Sequence, residues 1–249
     1  MAQAHRLQKV IMMSYKKRID GRKFDELREI EAKVGVIKNA DGSAYFRIGK
    51  TIAYAAVYGP RDLFPKFLQD PEKGLLRTNY NMMPFSGSGE RVKPGPSRRS
   101  REISYVTEKA LSPVVNLEDF PNSVVDVFIE LTQTDAGSRC AGICAASMAL
   151  ADAGIIMKDL VAAVSVGSVD GQIVLDLDYD EEAYDKGDVA DIPLAMIPST
   201  GQFSLLQMDG KISKENLMKA LEMGKKALPK IIEIQRNALK KKFEVMQNE

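Results

Sequence analysis

The sequence is poor in the groups that most often announce a chemistry. Its single histidine, His5, lies near the start, so a reaction that turns on an imidazole base is not expected. Its two cysteines, Cys140 and Cys144, are too few to hold a metal by themselves. Four positions apart on one helix, they read as small buried thiols in a reducing compartment. The longest apolar stretch near the N-terminus is Val10-Ile11-Met12-Met13, too short for a signal peptide or a membrane span. No Walker-type glycine run is present, which argues against a nucleotide-binding phosphotransferase. Charge of one sign is lacking too: 35 Lys and Arg against 34 Asp and Glu leave +1, so any basic surface must be local. What remains is an ordinary soluble composition, 45% hydrophobic and 28% charged over 249 residues, enough chain for a substantial core. A cytoplasmic protein is expected.

The stretch Gln133–Ala153 organises the rest. Val124–Leu131 before it is a β-branched, apolar run and reads as a strand. After it, a segment rich in Ala, Met and Leu reads as a buried helix ended by Gly154. The junction is Asp135-Ala136-Gly137-Ser138-Arg139. A strand that turns through Gly-Ser into a helix leaves backbone N–H groups pointing out of the turn, and with the helix dipole they form an anion site. Arg139 adds a planar fork of donors suited to phosphate. Placed in the first helical turn, that cation opposes the dipole, a broken local rule of the kind found at functional sites. The plainer alternative has Ser138 capping the helix and Arg139 pairing with a surface carboxylate.

Upstream, Ile30–Lys38, Ala44–Ile48, Thr51–Tyr58 and Leu75–Met83 read as strands, with turns at Asp41-Gly42 and Gly49-Lys50. A long loop, Gly59–Gly74, carries Arg61, Lys66 and three prolines. A second loop, Phe85–Pro96, leads to Ser97, the expected N-cap of a helix that opens with Arg98, Arg99 and Arg101. Three cations at a positive helix end imply either a solvated basic face or an anionic partner. Downstream, Val161–Ser168, Gln172–Leu177, Ile192–Ile197 and Gln202–Gln207 read as strands, with a turn at Asp170-Gly171. A long helix capped by Ser213 should be kinked or divided at Gly224 and Pro229. Each half thus places strands before a helix. Between them Asp178–Asp191 is acidic, either a solvated loop or a source of carboxylates for Mg²⁺ or for protonating a leaving oxygen. Asp191 abuts an apolar strand, but spacing alone does not choose between Asp185, Asp188 and Asp191.

Six stretches, taken together and in order, carry a resemblance. They are Arg18-Ile19-Asp20-Gly21-Arg22 with Glu26-Leu27-Arg28; Gly42-Ser43-Ala44; Ala55-Ala56-Val57-Tyr58-Gly59-Pro60-Arg61; Lys93-Pro94-Gly95-Pro96-Ser97-Arg98-Arg99; Asp135 to Arg139; and Ala190-Asp191-Ile192-Pro193. The chain resembles the RNase PH family of phosphorolytic exoribonucleases, and within it the catalytic branch found in archaeal exosomes. The resemblance implies an α/β (α+β) RNase PH-like fold of two pseudo-repeated βαβα halves with mixed sheets. It implies a leader over 1–17 and a single domain over 18–249, ending in the Pro-interrupted helix.

The same resemblance implies the activity and the partners. Single-stranded RNA would be degraded from its 3′ end with inorganic phosphate as co-substrate, releasing nucleoside diphosphates. A related non-catalytic subunit would complete a hexameric ring, three of each, with RNA-binding cap subunits on one face. By position, Gly137, Ser138, Arg139 and Arg99 are the expected phosphate ligands. Arg61, Lys66, Arg98 and Arg99 are the expected RNA contacts, with Arg61 and Lys66 at the ring's constriction. Asp185 and Asp191, six apart, are the expected catalytic carboxylates and ligands of Mg²⁺ or Mn²⁺. Tyr184-Asp185 replaces the family's Glu-Asp, and Asp188-Val189-Ala190-Asp191 its Gly-Glu-Ala-Asp, which leaves Asp188 and Asp180 as alternatives for the first acid. A ring subunit that binds RNA without chemistry is the rival reading.

Overall fold

The structure is a computed structural model that describes residues 15–88 and 92–246. His5, the run Val10 to Met13 and most of the expected leader lie outside the described residues, as do positions 89–91 of the second loop.

The first sheet contains β1 (Ile30–Val34), β2 (Gly42–Ile48), β3 (Thr51–Asp62), β4 (Leu75–Met82) and β5 (Ser123–Gln133). Its order is β1-β2-β3-β5-β4, and only β4 and β5 run parallel. That parallel pair needs a crossover, supplied by helix α1 (Arg98–Leu111). The second sheet contains β6 (Ala162–Val169), β7 (Gln172–Leu175), β8 (Val189–Ile197), β9 (Gln202–Leu206) and β10 (Asp209–Gly210). Its order is β10-β8-β6-β7, with β9 also on β8. The Asp170-Gly171 turn joins β6 to β7 with φ of +48° and +80°, the left-handed pair that a two-residue hairpin demands. The mixed α/β class with mixed sheets is as the sequence implied.

Between the sheets lies α2 (Ser138–Asp152), touching β2, β3 and β5 of the first and β6 and β8 of the second. Every residue from Cys140 to Leu150 is buried. A helix apolar on all sides belongs inside, and its alanines let both sheets approach. Where β2 begins, a Cβ on Gly42 would stand 2.5 Å from the Ala149 carbonyl oxygen, so only glycine fits that contact. One apolar core therefore joins the two sheets.

Three expectations change. The strand at Thr51 does not stop at Tyr58; it shifts register between Tyr58 and Arg61 and runs on to Asp62, so Arg61 sits on a strand. Lys66 opens a single 3-10 turn, Lys66–Leu68. The C-terminal helix, α4 (Lys214–Met246), is not divided, and Pro229 lies inside it. Ser213 does cap it, accepting the Asn216 N–H at 3.2 Å. Gly224 is a contact rather than a break: a Cβ there would meet Leu194 Cδ2 at 2.7 Å and Val166 Cγ1 at 3.1 Å. Packing of α4 on β6, β1 and β7 outweighs the hydrogen bond that proline forfeits. Among the described residues no helix is long and apolar enough to cross a membrane.

Candidate active site

The β5–α2 junction is held from β3. The Thr51 hydroxyl accepts the Asp135 N–H at 2.8 Å and donates to the Ala136 carbonyl at 2.7 Å. Ala136 and Gly137 both take left-handed backbone, with φ of +57° and +60°. For alanine that conformation costs on the order of 1–3 kcal/mol, and it persists only when its surroundings impose it. Gly137 is the N-cap and has no side chain to occupy the first N–H groups. Ser138 therefore does not cap α2; it is buried at the first helical position. The uncapped turn faces a cleft of about 720 Å³ whose walls include Tyr80, Arg99, Ser138, Arg139, Glu182 and Asp191.

Behind the turn stands Arg28. Its backbone N–H and guanidinium bond Asp176 at 2.7–3.0 Å, and a further N–H reaches the Asp135 carbonyl. A Cβ on Gly137 would lie 3.2 Å from Arg28 Nη2, so the turn and the arginine fit each other closely. Nearby, Arg18 grips Glu181 through two bonds of 2.8 and 2.6 Å, with both side chains fully buried. Arg18 also donates to the Leu175 and Asp176 carbonyls, and Tyr15 donates to Glu181 at 2.9 Å. Burial strips these charges of water, and the complete set of partners compensates. Glu181 closes a capping box with Asp178 around the one-turn helix α3 (Tyr179–Glu182). The acidic segment is thus not a solvated loop at its start. Pinned there, α3 delivers its last residue, Glu182, to the cleft.

Asp191 comes from β8 and accepts a short hydrogen bond from the Ser165 hydroxyl. Burial raises its carboxyl above the usual range and Asp209 adds to that, while Ser165, Arg139 and Arg99 pull it down. Burial pushes Glu182 up to about 7, and the charge of Asp191 pushes further, against Arg99, the Gly137 N–H and Arg28. Glu182, raised to about 7 beside a second carboxyl that burial also raises, suits proton transfer near neutral pH.

The cations arrive from two helix ends. Ser97 caps α1 and forms a box with Ser100. Arg99 lines the cleft, whereas Arg98 is exposed and does not. Arg139 donates a short bond to Gln207 Oε1 and lies 3.7 Å from Glu102, and Gln207 donates to Glu102 at 2.9 Å. The plainer reading of Arg139, a carboxylate partner, thus holds in part: Glu102 and Gln207 set its plane at the cleft wall.

The structure does not bring Asp185 to Asp191. Asp185 is exposed and absent from the cleft wall, because the chain after α3 leaves toward the β6–β7 hairpin. There Asp188 accepts the Asp170 N–H at 2.8 Å, and Gly187 packs on the Asp170 side chain. Asp188 and Asp180 are exposed as well. Glu182, nine residues before Asp191, lines the cleft with it, where Asp185 does not. Arg61 and Lys66 are exposed away from the cleft wall; Arg61 stacks 4.9 Å over Tyr58 and pairs with Asp41 at 3.5 Å. Lys66 stands between the exposed Phe64 and Phe67. Among the described residues no group of three or more carboxylate, cysteine or histidine side chains gathers as a ready-made metal site.

Sequence reasoning missed Glu182, Glu102, Gln207 and Tyr80, and it missed the bracing pairs of Arg18 and Arg28. One local signal was available: Asp178 and Glu181 have the spacing of a capping box, which would have fixed α3 and its next residue.

Comparison with known proteins gives consistent results. Residues 26–156 match domain 1 and residues 159–227 match domain 2 of RNase PH, described as the 3′ exoribonuclease family. The chain is 56% identical over 210 residues to the exosome complex component Rrp41 of Thermococcus gammatolerans, covering 84% of this chain and 83% of that protein. It is 51% identical over 209 residues to Rrp41 of Methanopyrus kandleri, covering 84% and 86%. Its fold is similar to the crystal structure of rice (Oryza sativa) Rrp46, with a TM-score of 0.78 and 26% identity over 90% of this chain and all of that one. It is similar in fold also to a chain of the Archaeoglobus fulgidus exosome with RNA bound to the active site, with a TM-score of 0.74 and 22% identity over 92% and 94%.

Proposed function

The chain belongs to the 3′ exoribonuclease family of RNase PH proteins, and from that premise we propose that it is the phosphorolytic subunit of an exosome. It removes nucleotides from the 3′ end of single-stranded RNA and releases them as nucleoside diphosphates. One observation carries this reading: a single cleft gathers an uncapped helix N-terminus, Arg99 and Arg139, and the carboxyl pair Glu182 and Asp191. An RNA-binding subunit without chemistry has no use for two neighbouring carboxyls held above their ordinary range.

Phosphoryl transfer asks a protein mainly to position groups and neutralise charge. Inorganic phosphate sits on the Gly137–Arg139 turn, with Arg99 opposite. An oxygen of that phosphate attacks the phosphorus of the last phosphodiester, and the bond from that phosphorus to the preceding 3′ oxygen breaks. In its protonated form Glu182 gives its proton to the departing 3′ oxygen, and the last nucleotide leaves with two phosphates. Arg99 and Arg139 hold the two anions together against their repulsion. Asp191 is the carboxylate that would hold Mg²⁺ or Mn²⁺, an oxygen donor of the kind such a hard cation takes. When bound, the metal supplies charge neutralisation at the phosphoryl oxygens. Glu182 replaces Asp185 as the acid in this scheme.

Arg98, Arg61 and Lys66 contact the RNA backbone beyond the cleft, without sequence preference. A related non-catalytic subunit completes the RNA path in a ring of three and three, with cap subunits on one face, in the cytoplasm. Incubating the assembled complex with single-stranded RNA tests the whole reading. Nucleoside diphosphates that form only when phosphate is present support it. Monophosphates formed with water alone, or no product, would overturn it.

A further inference from the structure

Tyr179 opens α3 and has no role in the scheme above. It is 45% exposed and lines the cleft, the one exposed aromatic ring of that wall among the described residues. Among those residues its ring has no aromatic or cation partner, and its hydroxyl has no hydrogen bond.

The backbone that carries this open ring is held firmly. The Tyr179 N–H donates to Asp135 Oδ1 at 3.3 Å, which ties it to the turn proposed to take phosphate. Its carbonyl accepts the Ala183 N–H at 2.9 Å. Asp178 before it closes the capping box with Glu181, which Arg18 grips from behind. Tyr179 and Glu182 are three positions apart on one helical turn, so they are neighbours on its surface, and both line the cleft. The ring therefore has a fixed place beside the proposed acid and beside the turn.

That is where the last nucleotide of the RNA must lie. The arginines answer its phosphates, but nothing in the scheme holds its base. A terminal nucleotide has a neighbour on one side only, so one flat face of its base is open. A tyrosine ring offers a flat apolar surface of matching kind. Stacking is tolerant of sequence, because every base has such a face. An enzyme that removes one nucleotide after another needs that tolerance.

We propose that the Tyr179 ring is the platform on which the base of the 3′-terminal nucleotide stacks, whichever base it is. This rests on the reaction proposed above and adds the group that steadies the nucleotide about to leave. Tyr179 thus acts on RNA and on the nucleoside diphosphate product, and not on inorganic phosphate.

The test is Tyr179→Ala and Tyr179→Phe in the full chain, assembled with its partner subunits, on single-stranded RNA with a normal or an abasic 3′ nucleotide. On the normal end, Tyr179→Ala should lower kcat/KM for RNA about tenfold or more, the size of one lost base–ring stack. The KM for phosphate should stay within about twofold. Tyr179→Phe keeps the ring and should stay within about twofold of wild type. On the abasic end the wild type should suffer the same loss, and Tyr179→Ala should lose nothing further. Normal activity of Tyr179→Ala on normal ends overturns the proposal. An equal loss on normal and abasic ends overturns it too, since that marks a displaced Glu182 rather than a missing stack. A loss in Tyr179→Phe as large as in Tyr179→Ala also overturns it, by assigning the effect to the hydroxyl.

A second readout does not depend on turnover. The chain has no tryptophan, so Tyr179→Trp gives it a single indole. A nucleoside diphosphate should quench the added emission, and pyrophosphate, which has the phosphates without the base, should not. Equal quenching by both, or by neither, overturns the stacking. If the wild type releases no nucleoside diphosphate with phosphate present, the reaction proposed above is what fails, and the indole still reports on the tyrosine.

Discussion

The turn proposed to take phosphate, Gly137–Arg139, has arginines on both of its sides, and they are in opposite conditions. Behind it, Arg28 and Arg18 are buried, and their donors meet Asp176, Glu181 and main-chain carbonyls. In front, Arg99 is exposed at the mouth of the cleft and has no ion pair among the described residues. Arg139 lies between these extremes, oriented by Gln207 and Glu102 but half-open to the cleft. The same side chain is thus structural where its bonds are complete and functional where they await a ligand. Satisfaction, rather than charge, separates the two uses.

Breaking the rear set should do the most damage. Arg28→Ala leaves the buried Asp176 with only the longer Arg22 contact of 3.6 Å, and the loss of a buried pair's partner costs on the order of 3–5 kcal/mol. The thermal midpoint should fall steeply and activity with it, read by calorimetry and by phosphate-dependent RNA decay. A midpoint within a few degrees of wild type would mean that the rear arginines are not what holds the turn.

The front set should fail differently. Asp191→Asn should lower turnover by roughly 10²–10⁴-fold, the range expected for a lost acid–base or metal-holding group, with assembly and RNA binding intact. Near-normal turnover would remove Asp191 from the chemistry. Arg98→Glu with Arg99→Glu should weaken RNA binding about 10-fold or more at low salt and flatten its salt dependence, because each lost phosphate contact lowers the slope by about 0.9 or less. Gel-shift titrations at several salt concentrations would read both effects, and an unchanged slope would place the RNA path elsewhere.

The intermediate arginine sharpens the contrast. Glu102→Gln keeps the shape of the Arg139 clamp but removes its charge, so phosphate should bind a few-fold more tightly as a competing anion leaves. Weaker phosphate binding would show instead that Glu102 acts mainly by orienting Arg139.

The smallest effect is a titration. Glu182 in the metal-free chain should titrate near pH 7, read from the carboxyl carbon by NMR. Because burial raises this carboxyl, the folded state favours its protonated form. That contribution to stability is complete below the ordinary value of 4.5 and is lost as pH rises through about 7. Asp191→Asn removes the second cause and should move the midpoint down, yet leave it above 4.5, since burial persists. No movement would mean that the two carboxyls do not sense each other.

The front of the turn was legible in the sequence and the back was not. Gly137, Ser138, Arg139, Ser97 and Arg99 are placed by local geometry, a helix start and the residues beside it. Glu182 depends on a contact between Arg18 and Glu181, 163 positions apart, and counting residues back from Asp191 could not see the detour to the Asp170 hairpin. Pro229 shows the same limit in the fold. Proline disfavours a helix locally, but α4 lies along a sheet that holds it. Likewise Gly59 and Pro60 suggested a loop, although β3 absorbs them in an irregular stretch.

The burial of α2 sets how the site can fail. The residue that opens the phosphate turn also begins the helix that fills the space between the sheets. No partial opening is available to that turn: unlatching it means pulling apart the interior. Amide protons from Ala141 to Leu150 should therefore exchange with solvent only when the whole molecule unfolds. Phosphate that binds at one tip of the helix should slow their exchange along its full length of about 22 Å, at the standard rise per residue. Warming this protein would then leave a cleft that is fully formed until the moment it is gone.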